Sequence, residues 1–265
     1  MAVTAGVVQL LRYLEITYKR LWSLFFDFLV ILWYNVVHIG DGCMKIYVGE
    51  EFLDLDEETL DYMYIDEGNE SEIYRYGKDA LKIYKRFCHK DRLDEETATI
   101  LSGISTKRIL LPKEIIRDES GNFIGYSMPF IYTYPVVGVL KRPVVELLDE
   151  MDVIRDDIRI LSDNHVDIED LHIRNVLYNG KLFMGDPGSY LVKRYKKSGQ
   201  IYNDNMYTFG LFVRDEIFKL LKLTAGERID LNHKFDYSWD IGSQLRDEVI
   251  NDKETVRQFI KRMTR

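Results

Sequence analysis

The sequence predicts an α+β protein, with strands in the amino-terminal half and helices in the carboxy-terminal half. Three stretches lead there. "DEGNESEIYRYGKDALKIYKR", 66–86, reads as strand, turn, strand. "ILLPKEIIRDESGNFIGYSMPFI", 109–131, reads as two strands joined by Asp-Glu-Ser-Gly-Asn. "PVVELLDEMDVIRDDIRILSDN", 143–164, is apolar at 144, 147, 148, 151, 154, 158 and 161, the spacing of an amphipathic helix. A chain of 265 residues and 31.3 kDa can bury a substantial core.

Composition narrows the function classes. A net charge of −8 disfavours a nucleic-acid partner, because such binding depends on neutralising phosphates. Cys43 and Cys88 lack metal-ligand spacing and point to a reducing compartment, hence a cytoplasmic location. No internal repeat or low-complexity linker interrupts the chain.

The elements follow in order. "LWSLFFDFLVILWYNVVHI", 21–39, is nearly long enough to span a bilayer and carries tryptophans near its ends. Asp27, Asn35 and His38 interrupt it, and Lys19 with Arg20 would hold its amino end in the cytoplasm, sending 44–265 to the other side. An interfacial helix, a hairpin, or a chain that begins in nature at Met44 would each avoid that outcome; we favour Met44, where the composition shifts sharply. Residues 1–43 are therefore set apart from a domain at 44–265, and membrane association through 21–39 is the next reading. The acidic run 50–70 reads as a solvated face or leading segment.

After the strand pair, "DRLDEETATILSGI", 91–104, reads as a helix with acids in its first turn, complementing the helix dipole. The long helix starts at Pro143, a good first helical residue, and ends at Asn164, which can serve as a left-handed cap. "NDNMYTFGLFVRDEIFKLL", 203–221, reads as a helix beginning at an Asn/Asp cap. From about Thr224 onward the chain is polar and helical in composition, without a chemical motif.

Between these helices lies "IEDLHIRNVLYNGKLFMGDPGSY", 168–190. Asn179-Gly180 between apolar runs signals a two-residue type I′ hairpin turn. Tyr178 would then pair with Lys181 and Asn175 would face Met184, leaving Asp186 on the same face as Asn175. One amide and one carboxylate so placed can hold a hard cation. Pro187 should keep Asp186 extended. The bland alternative is that Asp-Pro-Gly-Ser is only a β-turn.

Helix, loop with Asp170, a five-residue step to Asn175, hairpin, then Asp186: this order resembles the catalytic core of the protein kinase-like superfamily. "DLHIRN" matches best the small-molecule kinase branch, whose loop reads D-L-H-x-x-N, and His172 follows Asp170 by two as in that pattern. The resemblance covers roughly 60–222 and implies a two-lobed kinase-like fold. A small antiparallel N-lobe would occupy about 60–131 and a mostly helical C-lobe about 140–265. It implies Asp170 as catalytic base, Asn175 and Asp186 as Mg2+ ligands, and Lys82 of "ALKIYK" as the lysine on the ATP phosphates. Gly68 and Ser71 take the places of loop glycines, and Ile73 that of the valine covering the base. Glu96 is the acid assigned to pair with Lys82, though alignment by the apolar step puts Thr97 there. Met128-Pro129-Phe130 is the expected hinge, with Met128 as gatekeeper. Asn205, five residues before Gly210, takes the position that anchors the catalytic loop.

Two departures are plain: only one of three loop glycines is present, and Ile168 stands where the family has His. The His165-Val166-Asp167 triplet is a decoy, since it would put Asn175 eight residues from its Asp. The expected function is ATP- and Mg2+-dependent phosphoryl transfer to a hydroxyl of a protein or small molecule. The alternatives are a kinase-like pseudoenzyme that binds nucleotide or a partner, and a membrane-anchored interaction protein whose hairpin is purely structural.

Overall fold

The computed structural model describes residues 43–85, 92–169, 171–234 and 241–264. The 21–39 segment, Cys88 and Asp170 lie outside the described residues. Two compact units divide the chain, and the larger comprises Lys45–Leu53 with Tyr62–Arg265. In the smaller unit, the Asp56 carboxylate accepts from Thr59 N at 2.8 Å. That bond caps the short helix α1 (Glu57–Met63).

The protein is α+β. A curled antiparallel sheet of seven strands takes the amino-terminal half. Its strands are β1 (Cys43–Val48), β2 (Glu51–Asp56), β3 (Tyr64–Glu67), β4 (Ser71–Tyr76), β5 (Asp79–Tyr84), β6 (Ile115–Asp118) and β7 (Phe123–Pro129), in the order β2-β1-β6-β7-β5-β4-β3. The acidic run expected to be a solvated face or leading segment thus supplies strand as well as helix. Gly77, at φ 58°, opens the two-residue turn between β4 and β5; its positive φ matches the right-handed twist of the flanking strands. Helix α2 (Glu95–Ser102) is capped by Asp94, whose carboxylate accepts from Thr97 N at 2.8 Å. It turns Thr97, Ala98 and Leu101 inward.

Strand β5 lies inside the sheet and is buried on both faces. One face sends Ala80 and Tyr84, with Tyr126 and Met128 of β7, into the main core. The opposite face packs Leu81 and Ile83 among buried Ile46, Val48, Tyr74 and Ile116. Gly125 permits this sheet: a Cβ there would lie 2.0 Å from the Lys82 carbonyl oxygen, so any side chain would force β5 and β7 apart.

The main core continues into α3 (Val144–Asp163), whose apolar stripe is buried as its spacing predicts. Pro143 is the residue before its first turn. The left-handed residue at its end is His165, at φ 61°, one position later than predicted; Asn164 (φ −93°) stays right-handed and bonds Ile160 O through its amide. Strand β8 (Val166–Ile168) pairs with β11 (Tyr190–Val192), and β9 (Val176–Tyr178) with β10 (Leu182–Met184). Helix α4 (Ser198–Phe212) begins before the predicted Asn/Asp cap and passes into a π-helical turn, Val213–Ile217. Helices α5 (Ala225–Lys234), α6 (Ile241–Asp247) and α7 (Val256–Met263) complete the chain. Among the described residues, no helix is long and apolar enough to cross a membrane.

Asp157 joins the two halves. It sits on the buried stripe of α3, and its carboxylate accepts from the backbone N–H groups of Lys107, Arg108 and Ile109 at 2.5–3.2 Å. Beside it Arg108 Nε donates to Glu150 at 2.6 Å. A carboxylate surrounded by several donors is among the strongest polar anchors a buried loop can have.

Candidate active site

The β9–β10 hairpin closes one residue later than the sequence predicts. Tyr178 faces Leu182, not Lys181, and Val176 faces Met184. The loop has three residues, Asn179 to Lys181, with the positive φ on Gly180 alone, at 92°, so it is not the type I′ turn. Asn175 therefore faces Gly185, whose N–H donates to Asn175 O at 2.7 Å. Asp186 is the next residue. Its expected extended conformation gives way to a left-handed one, φ 59° and ψ 76°. A residue before proline is biased toward extended backbone, so this conformation costs energy that its surroundings must offset.

Two bonds hold Asp186 there. Its Oδ1 accepts from Gly188 N at 3.1 Å, capping the short 3-10 turn Pro187–Ser189, and also from Lys82 Nζ, 104 residues away in sequence. Lys82 is only 6% exposed and stands on an interior strand, so it is not a solvated edge-strand lysine. The Asp186 side chain is 45% exposed, so its carboxylate faces solvent as well as the lysine.

The face of the sheet around this pair is fixed by register. Ile73 lies opposite Lys82 on β4 and Tyr126 opposite it on β7, while Met128 faces Ala80. Ile73, Ala80, Lys82, Tyr126 and Met128 thus share one face, as the nucleotide reading requires of Lys82, Ile73 and Met128. Tyr84, Tyr126 and Tyr190 surround the pair as neutral phenols: burial is the largest cause holding all three well above the ordinary tyrosine value, and the Asp186 charge adds to it.

The strand continues through the expected hinge. Met128 and Pro129 are still paired with β5, and Phe130 N donates to Lys78 O at 3.0 Å. The Phe130 ring meets Tyr132 edge-on at 4.9 Å, and the Arg75 guanidinium lies 5.0 Å and 4.9 Å from the two rings. At the other end, Gly68 N donates to Ser71 O at 2.8 Å to form the β3–β4 turn. Gly68 has no positive φ, and an added Cβ would meet only Ser71 O at 3.9 Å. The turn itself therefore does not require glycine at this position.

Glu96 is not brought to Lys82. Its side chain is 77% exposed and lies 3.7 Å from Arg194, while Glu95 pairs with Arg117. Thr97 is the residue of this turn that faces inward, so a carboxylate one position earlier on the helix points to solvent.

The segment leading to Asp170 is held on two sides. Asn205, buried in α4, accepts from Ile168 N at 2.7 Å and donates to Val166 O at 2.9 Å and Ser162 Oγ at 3.1 Å, the anchoring expected of it. Lys193 Nζ bridges Asp167 at 2.8 Å and Glu169 at 2.5 Å. Hydrogen bonds from the lysine to Asp167 and then Glu169 hold its pKa well above the ordinary lysine value. Sequence reasoning missed Lys193 and Tyr126, because nothing local announces a partner on another strand. It also missed Asp157, although an acid on an apolar helical stripe was a readable signal.

Among the described residues, no group of three His, Cys, Asp or Glu converges. The register shift removes the shared strand face on which Asn175 and Asp186 were expected to meet a cation; the carboxylate of Asp186 and the amide of Asn175 would, by the resemblance, each be an oxygen donor of the kind Mg2+ takes. No family model matches the sequence, and no curated protein matches it.

Proposed function

We propose that the protein is an ATP- and Mg2+-dependent phosphotransferase of the protein kinase-like type, its seven-stranded sheet serving as the N-lobe and its helical half as the C-lobe. The observation that carries this reading is the Lys82–Asp186 ion pair. The resemblance gives one residue to the nucleotide phosphates and the other to the metal, and they meet across 104 residues of chain.

In this reading Lys82 neutralises phosphate charge from a buried position, where a fixed charge acts strongly. Asp186 and Asn175 hold Mg2+, which when bound supplies further neutralisation of the transferring phosphoryl group. Ile73, Ala80 and Met128 form an apolar surface for the base. Asp170, by the resemblance, orients the acceptor hydroxyl and accepts its proton, while Asn205 and Lys193 fix the segment before it.

A second reading has its own support: α2 offers Lys82 no carboxylate, and the β3–β4 turn has a single glycine. A kinase-like nucleotide-binding module without transfer activity fits those two observations. Thermal unfolding of the full chain with and without Mg-ATP tests what both readings share, because a ligand of the native state raises the midpoint as its concentration rises. A midpoint indifferent to millimolar Mg-ATP refutes both. Transfer of labelled γ-phosphate across a broad acceptor screen then separates enzyme from binding module.

A further inference from the structure

The Lys82 face of the sheet carries one more polar group whose placement calls for a partner. Tyr126 lies directly opposite Lys82 in the β5–β7 ladder, and its ring is 5.9 Å from Lys82 Nζ, within cation–π range. The residue is fully buried, yet its hydroxyl has no hydrogen-bond partner among the described residues. Tyr84 tempers the rise in its pKa, but no hydrogen bond of ordinary geometry joins the two hydroxyls; the Tyr84 oxygen accepts from Leu93 N at 3.1 Å. Leaving a buried hydroxyl unmatched is costly, and such groups in native proteins call for an explanation of their own.

The surroundings of Lys82 say what that hydroxyl could serve. Both acids of α2 are turned away, Glu95 to Arg117 and Glu96 to Arg194. Asp186 is the one carboxylate on the ammonium among the described residues. An ammonium has three N–H donors, and a neutral phenol can both accept and donate. If Asp186 turns to a cation, Lys82 loses its acceptor.

We infer that Tyr126 is the positioning residue for Lys82 in the nucleotide-bound site: its hydroxyl oxygen accepts one N–H of the ammonium once Asp186 engages the cation, and so holds Lys82 toward the phosphates. The inference rests on the nucleotide reading above. In this site a tyrosine on the neighbouring strand does the holding, and the position of α2 is not coupled to the lysine through an ion pair.

The experiment is a double-mutant cycle in the full chain, with Mg-ATP affinity measured by calorimetry for wild type, Tyr126→Phe, Lys82→Ala and the double variant. Ligand-free thermal midpoints are measured alongside. Tyr126→Phe removes only the oxygen, so the ligand-free midpoint holds or rises while affinity falls by about tenfold, the worth of one hydrogen bond to a charged group. In the Lys82→Ala background the same change has no further effect on affinity. Equal affinities of wild type and Tyr126→Phe overturn the inference and leave the nucleotide reading standing. An equal loss with and without Lys82 also overturns it, since the hydroxyl would then act independently of the lysine. A lowered ligand-free midpoint with unchanged affinity assigns Tyr126 a structural role only. Absence of Mg-ATP binding in wild type refutes the nucleotide reading and this inference together.

Discussion

Replacing Asp186 by Asn should destabilise the ligand-free protein much more than replacing Lys82 by Met, although each change breaks the same ion pair. Asn keeps the size of Asp, keeps one acceptor oxygen, and tolerates the left-handed backbone at this position. What is lost is the charge facing an ammonium that is only 6% exposed. Leaving one charge of a buried pair without its partner costs about 3–5 kcal/mol. Because the Asp186 side chain is 45% exposed, solvent already screens part of the attraction, and the expected cost falls to about 2–3 kcal/mol. Lys82→Met removes the buried charge itself, retains an apolar stem, and leaves a carboxylate that water can reach. Its cost should stay below about 1 kcal/mol. For a protein of this size 1 kcal/mol moves the midpoint by roughly 2–4 °C, so the two variants should separate by several degrees. Calorimetric unfolding of both variants and of the double variant measures this. The double variant should be no less stable than Lys82→Met alone. Equal, small shifts for the two single variants would show that Lys82 is solvated in solution and would refute the reasoning.

Gly68→Ala should leave the thermal midpoint within about 1 °C, since the turn has room for a methyl group, while weakening Mg-ATP binding; unchanged affinity would remove Gly68 from the phosphate site. Asn205→Ala strands Ile168 N and Val166 O in the core and should cost about 2–4 kcal/mol by denaturant unfolding, with a lower rate of any transfer reaction. Glu96→Gln should change neither stability beyond about 0.5 kcal/mol nor nucleotide affinity, because its pairing with Arg194 is exposed; a large loss of affinity would restore the sequence-based pairing with Lys82. Lys193 has a raised pKa in the folded state, so its stabilisation is complete below the ordinary value of 10.5 and lost only as pH rises through the higher folded value. The midpoint gap between wild type and Lys193→Met should therefore stay level from pH 6 to 9 and narrow above about 10.5; a gap that closes by pH 8 would contradict the Asp167–Lys193–Glu169 bridge.

The amino-acid order by itself determined what depends on neighbours along the chain. The apolar repeat of α3, the acidic start of α2 and the turn between β6 and β7 follow from spacing, capping and glycine chemistry, and each forms where those rules place it. The resemblance named Lys82, Asn175 and Asp186 together from the order of their motifs along the chain, and of these the structure brings Lys82 to Asp186. Tertiary structure decided the rest. Alternation along "ALKIYK" could not tell which face of β5 meets the helical half; pairing with β4 and β7 settled it, placing Lys82 beside Asp186 and Tyr126. The three-residue loop at Asn179–Lys181 moved the hairpin register by one, and the bonds to Lys82 and Gly188 hold Asp186 left-handed against the preference of a residue before proline. Glu96 shows the same limit from the other side. Rotation by one residue on a helix is 100°, enough to carry a carboxylate from the core to solvent, and only packing of Thr97, Ala98 and Leu101 fixed that rotation.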